Sequence, residues 1–144
     1  MTIDQNLDIH SIESDRLGML LLAGALDGGW SEQAAVDLLV NTAYWLDRPE
    51  FRDAIELTEN PDGQVSTRII WARIPPELEA PLEALQILEL ACSLAGYPTR
   101  WALSHLLAGI CDETLVQALQ ALFLAARGPG AVLAAMCDRE EDRC

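Results

Sequence analysis

The 144-residue chain is the size of one ordinary domain, and its 51% apolar content supplies ample core material, which excludes global disorder. Its 23 acidic residues and nine Arg, with no Lys, give a net charge of −14 and exclude Schiff-base and phosphate-loop lysine chemistry. So anionic a chain is a poor match for nucleic acid or acidic membranes, which are recognised through positive charge.

Residues 1–13 read as a mobile acidic segment, without the basic start and early apolar run of a secretory leader. The four Cys (Cys92, Cys111, Cys137 and Cys144) are widely spaced, which predicts reduced thiols and a cytoplasmic location. A first helix is expected from about Ser14 to Leu26, with Leu17, Leu20, Leu21 and Ala25 inward, closed by Asp27–Gly29. A second restarts with Ser31 as N-cap and Glu32 in its first turn, and places Ala35, Leu38, Leu39, Thr42 and Trp45 at helical spacing. Pro49 ends it or starts a short new turn, and the Gly–Gly break between the two predicts an antiparallel helical pair.

The stretch AIELTENPDGQVSTRIIWARIPPEL (Ala54 to Leu78) departs from helical periodicity. Ile55 and Leu57 alternate with Glu56 and Thr58, and Val65, Thr67, Ile69 and Trp71 alternate with Ser66, Arg68, Ile70 and Ala72. NPDG (Asn60 to Gly63) is a turn signal between them, and Pro75 and Pro76 forbid further ladder bonding. The expectation is a hairpin over roughly 54–74. A lone two-stranded hairpin is marginal in water, so it must dock on its own helices or on a partner.

Helical patterning resumes from Glu77, with a thin polar stripe of Glu83, Gln86, Glu89 and Ser93 and a stop at Gly96. Thr99 and Asp112 are candidate caps for two further helices, and a last short helix is expected over Gly130 to Cys137 before the acidic tail 138–144. The fold class is therefore α+β and predominantly helical: five or six helices, one hairpin after the first helical pair, and a single globular unit over 14–137. Two nearly all-apolar helices, around Leu85–Leu94 and Leu115–Leu124, compete for the centre of one small domain, which predicts a homodimer or an obligate partner surface.

Charge is unevenly spread. Residues 1–62 carry 13 acidic residues and three Arg, a net of −10, whereas residues 91–130 are neutral. An anionic half steers basic partners. The residues that could carry chemistry are poorly arranged for it. His10, His105 and the four Cys form no C-x-x-C, H-x-x-x-H or H-E-x-x-H pattern, so no metal site is predicted. Ser104 and His105 are adjacent and diverge on a helix. Cys111 sits before a helix start, with only His105 nearby as a base. Asp47, Glu50, Asp53 and Glu56 lie among Arg48 and Arg52 and read as surface ion pairs. A winged-helix reading fails on charge, because the hairpin offers only Arg68 and Arg73.

Of the four Trp, Trp45 and Trp101 fit a core, whereas Trp71 on the hairpin and Trp30 beside the glycines fit a contact surface. The sequence thus predicts a small acidic protein-binding protein without catalysis or cofactor, which acts by occupying a partner protein. It would be an inhibitor, an immunity or anti-defence protein, or an escort chaperone, and one form would mask a basic nucleic-acid-binding surface. Ile69, Trp71 and Trp30 are the expected anchors, and Glu50, Asp53, Glu56 and Glu59 the steering charges. The alternatives are a small enzyme or ligand carrier with a pocket near Arg100, His105 and Cys111, and a structural homo-oligomer subunit.

Overall fold

A computed structural model describes residues 8–99 and 101–128. Residues 1–7 of the expected segment 1–13, the expected segments 130–137 and 138–144, and Arg100 lie outside these residues. The architecture is predominantly helical, with one antiparallel hairpin between helices. Among the described residues, no helix is long and apolar enough to cross a membrane.

Helix α1 (Ser14–Ala25) is Leu-rich, free of β-branched residues, and carries Asp15 in its first turn, where the helix dipole favours an acid. It buries Leu17, Leu21 and Ala25, a stripe repeating every fourth residue. Leu20, expected inward, is only half-buried beside that stripe. Helix α2 (Trp30–Thr42) starts one residue before Ser31. Gly29 takes the cap position, and Ser31 stands exposed in the first turn with no capping bond. Gln33 instead reaches back from its amide nitrogen to the carbonyls of Leu26 and Gly28, at 3.4 and 3.2 Å.

Helix α2 is the centre of the molecule. It buries Ala34, Ala35, Val36, Leu38 and Leu39 and packs against α1 and two later helices. Its Ala pair lets those neighbours approach closely. This corrects the expectation that the later apolar helices compete for the centre. It ends at Ala43, held in the left-handed region at φ 61° with its N–H bonded to the Leu39 carbonyl. A 3₁₀ turn (Tyr44–Asp47) then buries Trp45, whose indole N–H donates to the Ala84 carbonyl at 2.9 Å. The short helix α3 (Pro49–Arg52) buries Phe51 and Arg52.

Strands β1 (Ile55–Glu59) and β2 (Val65–Ile69) pair antiparallel, with Ile55 opposite Ile69 and Glu59 opposite Val65. The turn closes through the Gly63 N–H to the Asn60 carbonyl at 2.8 Å, with Gly63 at φ 79°. The hairpin docks on its own helix: β2 lies against α1, and a Cβ added at Gly24 would sit 2.1 Å from the Thr67 carbonyl oxygen. Pairing ends sooner than the sequence suggests. The Ile70 N–H still donates to Ala54, at 2.7 Å, but Trp71–Arg73 then coil into a 3₁₀ turn because β1 offers no further partner.

Helix α4 (Leu82–Leu94) begins after Pro81, five residues beyond the expected start, because the prolines hold the preceding segment out of a helix. Gln86 is buried rather than part of a solvent stripe, and its amide donates to the carbonyls of His105 and Ala108 at 2.8 and 2.6 Å. It thereby ties α4 to α5 (Leu103–Leu107). Helix α6 (Asp112–Arg127) has Cys111, not Asp112, at its cap position, and buries only Ala118 and Ala121. Val116, Leu119 and Phe123 form an exposed stripe on its outer face.

Candidate functional site

The structure separates the residues that the sequence groups as a contact surface. Ile69 and Trp71 are 3% and 7% exposed and belong to the core, so neither presents a free anchoring face. A single strand pattern cannot say which layer covers it, and here α1 lies against β2, the strand that carries Ile69. The Trp71 indole N–H is sealed from solvent without an acceptor. Trp30 is half exposed at the start of α2, and a Cβ at Gly128 would meet its ring at 2.8 Å.

The four steering acids do not form one patch. Glu50 faces Arg48 at 3.6 Å, with its Oε2 buried. Asp53 accepts from or pairs with His10 Nε2 at 2.7 Å, and Glu56 lies 3.6 Å from Arg73. Strand alternation puts Glu56 and Glu59 on opposite faces of β1. Arg52 is not a surface partner at all. It is buried, donating from Nε to Leu46 (2.6 Å), from Nη1 to Ile9 (2.9 Å) and Ile12 (2.6 Å), and from Nη2 to the Ser14 hydroxyl (3.1 Å). Ser14 in turn donates to Asp47. Residues 9–14, the end of the segment expected to be mobile, are thus fixed to the 3₁₀ turn and α3, and Ile12 joins the core.

His105 is exposed on α5 and Cys111 is exposed before α6, and no hydrogen bond joins them among the described residues. The Cys111 Sγ lies 3.2 Å from the Thr114 hydroxyl, and its main-chain N–H donates to Glu83 at 3.3 Å. Hydrogen bonds from Cys111 and Thr114 hold the Glu83 carboxyl below its ordinary range. Among the described residues, no group of three His, Cys, Asp or Glu side chains could hold a metal ion.

A cleft of about 810 Å³ lies elsewhere. One wall is the Trp71 turn and the irregular segment Ile74–Glu79. Leu85, Leu88 and Cys92, spaced three and four apart on one face of α4, form the floor. Tyr97, Pro98, Thr99 and Trp101 form the far wall. Glu77, Glu79 and Glu89 bring carboxylates to it, and none of its described lining residues is cationic. Thr99 donates to Glu89 at 2.9 Å, which braces the far wall against the floor. Burial, reinforced by the Glu89 charge, pushes the Cys92 thiol up to about 12. The thiol therefore stays protonated and is a packing group rather than a nucleophile. Neither His105 nor Cys111 lines this cleft.

No family model matches the chain, and neither a curated protein nor a solved structure shows significant similarity to it.

Proposed function

We propose that the protein is a non-catalytic, cytoplasmic binding protein that acts by occupying a partner protein, with the cleft along α4 as its principal contact site. The observation that carries this reading is the cleft itself: an apolar floor, aromatic walls and a carboxylate rim around a thiol that stays neutral. Such a lining suits recognition, because apolar area supplies affinity and a few placed charges supply selectivity. The net charge of −14 adds long-range attraction for a basic partner. An inhibitor, an immunity or anti-defence protein, or an escort chaperone would each work this way, including by masking a basic nucleic-acid-binding surface.

The test is a hydrogen-exchange footprint on the complex formed with whatever partner the tagged protein captures. Protection concentrated in residues 74–81 and 85–99 is expected. Protection confined to the outer face of α6 would sink the reading. A self-associating form is favoured by one observation, the exposed Val116, Leu119 and Phe123 stripe. Sedimentation of the protein at increasing concentration tests it, and a monomer throughout would dismiss it.

A further inference from the structure

We propose that the cleft takes an extended segment of a partner protein, basic and apolar in alternation, laid along the main chain of Glu77–Ala80. This deepens the reading of the cleft as a partner site and rests on it.

The first support is the main chain. From Pro75 to Ala80, no N–H or carbonyl makes a hydrogen bond to another described residue. The two prolines have no N–H to offer, but Glu77, Leu78, Glu79 and Ala80 each have one. Chain neighbours do not explain their isolation, since the helix ladder starts only with the Leu85 N–H to the Pro81 carbonyl. The second support is the side-chain alternation. Leu78 and Ala80 pack against the core, while Glu77 and Glu79 are exposed. That period of two is the pattern of an extended chain, and such a chain, its main-chain groups bonded to no other described residue, is a template for an added strand. Pro75 and Pro76 restrict the segment's conformations beforehand, which lowers the entropy cost of ordering it on binding.

The third support is what lies beside that edge. Half-buried Leu85 on the floor and the rings of Tyr97 and Trp101 on the far wall offer apolar surface to every second side chain of an added strand. The carboxylates of Glu77, Glu79 and Glu89 would meet cationic side chains, whereas an acidic segment would be repelled. Glu77–Ala80 spans about 13 Å when extended, enough to engage about four residues of a partner at roughly 3.3 Å per residue.

The experiment titrates the intact protein with three capped hexapeptides and follows amide chemical shifts. One peptide alternates Arg and Val, one alternates Glu and Val, and one is the Arg–Val peptide with alternate amides N-methylated. The Arg–Val peptide should perturb residues 77–80 and 85–92 and weaken as salt is raised. N-methylation should abolish its binding. The variant E77K/E79K, altered only at exposed positions, should bind it about tenfold more weakly and should gain affinity for the Glu–Val peptide. Equal binding of the Arg and Glu peptides, equal binding after N-methylation, or no binding would each overturn the inference. If the peptides fail in any of these ways while a captured partner still protects 74–81 and 85–99 from exchange, the extended basic ligand is overturned and the partner site stands. Protection only outside the cleft overturns both.

Discussion

Gly24 is where helix α1 and strand β2 come closest. In a free helix, Gly24→Ala would gain about 1 kcal/mol, because Gly is the poorer helix former. Here the added Cβ would lie 2.1 Å from a backbone oxygen that has no rotamer to change, so the two elements must move apart. The expected net effect is a loss of about 2 kcal/mol, read as a lower urea midpoint. A midpoint unchanged or raised would show that the contact yields freely. Cys92 is a second residue with a clear consequence. Its folded pKa stands at about 12 against an ordinary 9.0, so folding holds a proton that the unfolded chain releases first. Its contribution to stability is complete below pH 9.0 and declines as pH rises towards about 12. Cys92→Ala should flatten this alkaline decline in urea unfolding, and an identical slope in the variant would refute the assignment. Gln86 shows what a sequence hides at this scale. Helical periodicity marks it as polar and therefore outward, yet the last carbonyls of α5 need donors, and Gln86 supplies them from the inside.

Among the elements, the long and periodic ones were legible. Helix α1, the body of α2 and both strands lie close to their expected places because apolar spacing and the NPDG turn are local signals, although α2 stops at Thr42 and leaves Trp45 to a 3₁₀ turn. The beginnings were less so: Gly29 and Cys111 stand at cap positions where Ser31 and Asp112 were expected. The centre of the fold was misjudged for a different reason. The apolar runs around Leu85–Leu94 and Leu115–Leu124 suggest that α4 and α6 hold the centre, but position is set by which helix the others can approach. The small Ala34 and Ala35 give that role to α2. Helix α6 is left with a single narrow buried face. The end of α2 carries a cost of its own. Ala43 is, among the described residues, the non-glycine residue held at positive φ. Ala43→Gly should relieve about 1 kcal/mol of left-handed strain, partly offset by the freer unfolded chain. A raised melting temperature is expected, and a lowered one would mean that the Ala43 methyl makes contacts worth more than the strain.

For the molecule as a whole, the acidic balance was legible and its arrangement was not. Glu50, Asp53 and Glu56 each have Arg48, His10 or Arg73 beside them, so counting charges overstates the field they project. The cleft was invisible for a similar reason. Its walls come from separate stretches around Trp71–Glu79, Leu85–Cys92 and Tyr97–Trp101, and no spacing rule joins them. The Pro-Pro signal was visible, but only as a stop, whereas in three dimensions it opens an irregular segment, Ile74–Glu79, that forms one wall of the cleft.

The Arg52 cluster makes the beginning of the chain a component of its middle. Arg52 is a buried cation neutralised by dipoles, and two of its acceptors, Ile9 and Ile12, belong to a stretch that looks dispensable. Removing that stretch would not trim an edge. It would take both acceptors from Nη1 while the Leu46 carbonyl and the Ser14 hydroxyl stay, with a loss of about 1.5–3 kcal/mol, as for a buried charged donor left unpaired. A chain beginning at Ser14 should therefore melt like a core mutant, and one that melts like the full chain would show that water replaces both carbonyls without penalty. Where the protein is trimmed or fused at its front is thus a choice about its interior.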